Sequence, residues 1–141
     1  MDPTLTLTSD TDAELRERCR EIFIEDALAK GMRANFEPIA IRVERDGVLL
    51  GGLVGRTLRD FLYVDNLALA AECQFTGVGR RILRMAEDEA IRRGCIGAFL
   101  NTDAFQAPAF YEKQGYREYG RLVHPTEPLS TRIWFSKIFE R

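Results

Sequence analysis

At 141 residues, with 45% hydrophobic and 30% charged side chains, the chain has the size and composition of one soluble globular domain with a real core. Its formal net charge of −2, with acids and bases interspersed, argues against a nucleic-acid platform, which needs a basic face. No apolar run approaches the ~20 residues that span a bilayer, and Met1-Asp2-Pro3-Thr4 has neither the charge nor the apolar core of a signal peptide.

The elements follow in order. Leu5 and Leu7 suggest a short extended start. Thr11-Asp12-Ala13-Glu14 has the form of a capping box, after which Leu15, Cys19, Ile22, Phe23 and Ala27 recur on one helical face until Lys30-Gly31 closes it. From about Pro38 to Leu69 the pattern turns to strands. Ile39, Ile41 and Val43 alternate, Asp46-Gly47 makes a hairpin turn, Val48 to Thr57 returns, and Phe61 to Leu69 follows the polar break Arg59-Asp60. A helix from about Gly77 to Arg93 buries Val78, Ile82, Ala86 and Ala90, and Gly94 stops it. Ala98 to Thr102 reads as a strand, and Pro108 opens a short helix ending at Gly115. Two strands, near Arg117 to Val123 and Thr131 to Phe139, complete a β-α-β-β-β-α-β-α-β-β order. That order defines an α/β domain with a mixed, mostly antiparallel central sheet flanked by helices.

Cys19, Cys73 and Cys95 are far apart and odd in number, with no C-x-x-C spacing, and His124 is the single histidine. Neither a disulfide framework nor a metal site is expected, and a reducing cytoplasm is the expected compartment. The segment Gln74-Phe75-Thr76-Gly77-Val78-Gly79 lies between a strand and an amphipathic helix. Unpaired N–H groups at a helix start favour an anion, and glycines at 77 and 79 allow close approach of a diphosphate, with Arg80 and Arg81 adding charge. A tight turn is the competing reading of the same glycines. A dinucleotide fingerprint needs a small residue where Ile82 stands, and a Walker loop needs Gly-Lys-Ser/Thr; both are absent.

Gln74-x-x-Gly77-x-Gly79 resembles the acyl-CoA pyrophosphate motif of the GNAT acetyltransferase superfamily. Ala107-Pro108-Ala109-Phe110-Tyr111-Glu112-Lys113-Gln114-Gly115-Tyr116 is similar to the second signature of that family. Gly51 to Thr57 and Phe105 to Pro108 resemble a bacterial subgroup of small members. The resemblance implies an N-acetyltransferase using acetyl-CoA as co-substrate, with a small-molecule or peptide amine as acceptor, no metal, and a possible homodimer; the charge and hydropathy above lead us to expect no nucleic acid or membrane partner. It places pantetheine along Leu67, Ala68 and Leu69, where β-strands should splay, and the pyrophosphate on the amides of Gln74, Phe75, Thr76, Gly77, Val78, Gly79 and Arg80. Ala107, Phe110, Tyr111 and Lys113 complete the implied cofactor site. The N–H near Leu69 is implied to stabilise the developing oxyanion, and Tyr111 to protonate the departing thiolate.

Tyr63, Asp65 and Asn66 are the polar candidates for a base on the strand before the cradle, and Asp65 is preferred because it shares period-2 spacing with Leu67 and Leu69. Glu72 is an outside candidate. The acceptor pocket is expected between the first helix and the loop before the last strand. Phe75 stands where many relatives have glycine, Ala104 where relatives often have asparagine, and Leu129-Ser130-Thr131-Arg132 replaces a Gly-His-x-Arg run of the subgroup. The alternative function is a non-catalytic acyl-CoA-binding or regulatory module of the same fold.

Overall fold

Six strands join in one mixed sheet in the computed structural model, which describes residues 2–140. Met1, read above with the N-terminal tetrapeptide, and Arg141 lie outside the described residues. The elements are α1 (Ala13–Ala29), β1 (Phe36–Arg45), β2 (Val48–Leu58), β3 (Phe61–Leu69), α2 (Val78–Arg92), β4 (Gly97–Asp103), α3 (Pro108–Lys113), β5 (Arg117–Leu122) and β6 (Arg132–Ile138). The sheet order is β1-β2-β3-β4-β6-β5, antiparallel everywhere except between β3 and β4. Parallel neighbours need a crossover, and α2 supplies it.

The expected meander is present. Asp46 and Gly47 both take positive φ, the geometry of a tight two-residue hairpin. Two expectations near the N-terminus need correction. Leu5 and Leu7 form no strand and stand exposed, since no neighbouring strand takes up their backbone groups. The cap of α1 is Asp12 rather than Thr11: its carboxylate accepts from the Leu15 N–H at 3.0 Å, while the Thr11 hydroxyl turns to Ser9. The apolar face read on α1 also stays largely open, with Ala27 its one buried residue.

The core forms under α2. Ile82, Leu83, Ala86 and Ala90 recur at helical spacing and meet Leu53, Leu62, Val64, Ala98 and Leu100 of the sheet. At ~25 cal/mol per Å² this burial is the main force holding the crossover helix to the strands. One acid breaks the stripe. Glu87 is buried, accepts from the Tyr116 hydroxyl at 2.8 Å, and pairs with Lys137 of β6 at 3.0 Å. The trio ties α2 to the end of α3 and to β6. Lys137→Met removes the cation and leaves a buried carboxylate, so it should lower unfolding stability by about 3 kcal/mol in urea titration. A loss within experimental error would show that Tyr116 alone suffices.

Candidate functional site

The sheet divides at its parallel junction. β3 and β4 pair over only four positions, from Phe61 opposite Gly97 to Val64 opposite Leu100, although β3 continues to Leu69 and β4 to Asp103. A bulge begins the divergence: Val54 faces Asn66 and Gly55 faces Val64, so Asp65 is the extra residue with no partner on β2. The bulge shifts the alternation by one. Leu62 and Val64 are buried before it, and Leu67 and Leu69 pack on the core after it. Asp65 therefore leaves the period-2 series with Leu67 and Leu69 from which it was chosen, and it stands exposed at the cleft.

Beyond the bulge, β3 keeps its β2 partner and loses its β4 partner. The Ala70 N–H donates to Leu50 at 2.8 Å, so alternation turns the backbone groups of Leu69, and of Leu67, toward the cleft. The Leu69 carbonyl confirms that direction by accepting from the Gln74 side chain at 3.2 Å. The Leu67 and Leu69 N–H groups are then donors on a free strand edge. Gly51 lets β2 approach this segment. It has φ +129°, and a Cβ there would lie 2.1 Å from the Ala68 carbonyl oxygen.

A 3₁₀ turn at Ala71–Cys73 leads from β3 into the cradle. Gln74 anchors the loop to Leu69, and the Thr76 hydroxyl donates to the Cys73 carbonyl, so neither side chain caps α2. The N-cap is Gly77 in the left-handed region (φ +86°), without a side-chain cap. Among the described residues, no backbone carbonyl accepts from the N–H groups of Gly77, Val78, Gly79 or Arg80. The first turn carries Arg80 and Arg81 and no acid, against the helix dipole. An anion seated there satisfies the amides and reverses that repulsion. Gly79 packs on Phe110 of α3, where a Cβ would come within 3.4 Å of the ring.

Phe75 takes the left-handed conformation (φ +61°), with its ring fully exposed. The strain costs about 1–2 kcal/mol, less the extra freedom that glycine gains in the unfolded chain. Phe75→Gly should therefore stabilise the protein by about 0.5–1 kcal/mol. Calorimetry should show a higher Tm. A lower Tm would mean that the ring packs in the folded state.

Tyr111 is held from the other side of the cleft. α3 starts at Pro108 and seats the ring between Phe110, Tyr116 and Phe135, with centroids at 5.1, 6.0 and 6.0 Å. Burial pushes its pKa up to about 12. Tyr111 and the bulge of β3 line one cleft of about 400 Å³ together with Asn101, Asp103, Gln106 and Arg132. This rim is ordered by polar contacts: Arg132 reaches Asp103 at 3.1 Å and Asn101 at 2.6 Å, and Gln106 accepts from Thr102 at 2.8 Å. Tyr63 meets Asn101 at 3.4 Å and lies under Arg56.

Asp65, Leu67 and Tyr111 line this cleft, while Leu69, bonded to the Gln74 side chain, leads the chain on to Gln74 to Arg80 at the start of α2. Ala68 is exposed but turns its backbone to Gly52 of β2, and Ala107 is the N-cap of α3. Lys113 points elsewhere, into a separate groove between α2 and α3. Glu72 is engaged by Arg45 of the hairpin, away from the cleft. Among the described residues, no α1 residue lines this cleft. Asn101, Asp103 and Gln106 were not singled out as site residues from sequence. Their signal was a run of polar side chains where β4 ends, which gains meaning only once β4 is known to part from β3.

A free strand edge thus runs into an uncapped helix start, with a buried phenol opposite. The acetyltransferase (GNAT) family profile matches residues 5–116, and the chain belongs to that family. It is 32% identical over 134 residues to an acetyltransferase of Agrobacterium fabrum, covering 94% of this chain and 97% of that one. Over 72 residues it is 44% identical to a blasticidin-S acetyltransferase of Streptomyces morookaense, covering 50% of this chain and 53% of that protein. A crystal structure from Agrobacterium tumefaciens superposes with TM-score 0.79 at 31% identity over 99% of this chain and all of that one. A Bacillus anthracis structure in complex with acetyl coenzyme A shares the fold at TM-score 0.64 and 20% identity, covering 74% of this chain and 64% of that one.

The residues present fit acetyl-CoA. The free N–H groups on β3 suit the amides of an extended pantetheine arm, and the unpaired N–H groups of Gly77 to Arg80 suit a diphosphate. Among the described residues, no cluster of three metal-ligating side chains occurs, and no helix is long and apolar enough to cross a membrane.

Proposed function

We propose that this acetyltransferase moves the acetyl group of acetyl-CoA onto a primary amine by direct attack within a ternary complex. The observation that carries this reading is Tyr111, a phenol held protonated in the cleft beside the free edge of β3. Leu67 and Leu69 hold the pantetheine arm, and the Leu69 N–H faces the thioester oxygen, where it stabilises negative charge as the amine adds. The C–N bond forms and the C–S bond breaks. Tyr111 gives its proton to the departing thiolate.

An amine with a pKa of ~10 arrives mostly as ammonium at neutral pH, so a proton must first be removed. Asp65 is the carboxylate for that step: it lines the cleft and enters none of the ion pairs among the described residues. Asp103 is engaged by Arg132, which leaves Asp65 as the free negative charge facing a cationic acceptor. The polar rim favours a hydrophilic amine.

The test is acetyl-CoA-dependent thiol release against polyamines, amino acids, aminoglycosides, blasticidin S and short peptides. Stimulation by one class, with an acetylated amine seen by mass spectrometry, supports the reading and names the acceptor chemistry. Tight acetyl-CoA binding with no transfer to any of them favours the non-catalytic CoA-binding module.

A further inference from the structure

β3 parts from β4 after the Val64–Leu100 pair, and the backbone of β4 runs on to Asp103 along an edge that β3 has left. The Ala104 N–H donates to the Thr131 carbonyl, on the side of β6, at 2.8 Å. Alternation then turns the Asp103 N–H to the opposite side, toward the departed strand. A side chain takes the strand's place. The Asp103 N–H donates to Gln106 Oε1 at 3.0 Å, and the buried Thr102 hydroxyl donates to the same oxygen at 2.8 Å. The Gln106 N–H in turn donates to the Asp103 carbonyl at 3.0 Å, so the two residues are joined in both directions. A backbone N–H only donates, which fixes the amide oxygen of Gln106 on this side and leaves its NH2 group on the other.

This turn leads straight into α3. Ala107, the N-cap, makes no side-chain cap bond, and Pro108 follows it. The doubled Asp103–Gln106 link is therefore what ties the start of this short helix to the end of β4. Tyr111 lies one turn into α3, and both Tyr111 and Gln106 line the cleft. Proton transfer works only within hydrogen-bond reach, and a misplacement of about 1 Å can cost about a hundredfold in rate.

We propose that Gln106 is a positioning residue for acetyl transfer. Its carbonyl replaces β3 on the open edge of β4 and thereby holds α3 where the Tyr111 hydroxyl reaches the departing thiolate. The inference rests on the role given to Tyr111 above. It assigns the effect to the amide oxygen of Gln106, which is engaged twice, and not to the NH2 group.

Two variants of the full chain separate these atoms. Gln106→Met keeps the length of the side chain and removes the acceptor, whereas Gln106→Glu keeps an oxygen in its place. Thiol release from acetyl-CoA is followed with whichever amine of the panel above stimulates it most. In Gln106→Met, kcat should fall about tenfold or more while the Kd for acetyl-CoA changes less than about threefold; Gln106→Glu should rescue kcat to within about threefold. Beside Tyr111→Phe, the Met substitution should cost less than about twofold, because the group it positions is gone. Amide exchange followed by NMR needs no acceptor. The Asp103 amide should exchange about tenfold faster or more in Gln106→Met, with the Ala104 amide unchanged.

Equal loss of kcat in the Met and Glu variants would overturn the assignment, since the loss would then follow the NH2 group. A loss that persists in full beside Tyr111→Phe would overturn it too, as would an Asp103 amide that exchanges alike in all three chains. A protected Asp103 amide in an unmodified chain that transfers acetyl to no amine would overturn the acetyl-transfer reading, and the positioning role with it.

Discussion

Tyr111→Phe should lower kcat by about a hundredfold or more, with the Kd for acetyl-CoA changed less than about threefold. The ring is needed for packing among Phe110, Tyr116 and Phe135, and phenylalanine keeps that packing. What disappears is the one proton donor buried at the cleft wall among the described residues. A thiolate then leaves without a proton, and only water can supply it. The hydroxyl also has a signature independent of turnover. Burial holds its pKa at about 12, above the ~10 of an unfolded tyrosine. The stability it contributes is complete below pH 10 and is lost as pH rises to 12. Tyr116, raised in the same direction by burial and by Glu87, adds to that loss. The Tyr111→Phe protein should therefore show a shallower alkaline decline in stability than the unmodified chain. Unchanged kcat would remove Tyr111 from the reaction.

Gly51→Ala should be strongly destabilising for a single added methyl group. The residue sits opposite Leu69 with φ +129°, where an L side chain is strained, and the added carbon would lie 2.1 Å from the Ala68 carbonyl oxygen. Backbone strain and overpacking together predict a loss of about 3 kcal/mol or more in denaturant titration. Relief requires β3 to move away from β2, into the cleft. Acetyl-CoA affinity should then fall along with stability, because Leu67 and Leu69 lose their placement. Wild-type stability with normal binding would mean that the two strands are not held this closely.

Much of this arrangement was legible in the residues. The hairpin at Asp46-Gly47, the α2 stripe and the Gly77/Gly79 cradle are local patterns, each written within a dozen positions. The second family motif then singled out Tyr111. What local pattern could not supply was the consequence of long-range pairing. The bulge at Asp65 is a register fact between β2 and β3, and no spacing within β3 reveals it. The polar rim of Asn101, Asp103 and Arg132 forms only because β6 lies beside β4 while β3 turns away. The first helix shows the opposite failure. Its apolar spacing suggested a buried face, yet Ile22 and Phe23 remain exposed, because an amphipathic pattern records a capacity to pack and not its partner.

Amide hydrogen exchange with and without acetyl-CoA tests the central claim most directly. The Leu67 and Leu69 amides, on the free edge of β3, and those of Gly77 to Arg80, at the uncapped start of α2, should exchange fast in the free protein. Addition of acetyl-CoA should slow these two groups together, leaving the paired amides of β2 little changed. Binding that protects neither group, or protects a different face of the sheet, would contradict the placement of the acyl-CoA site.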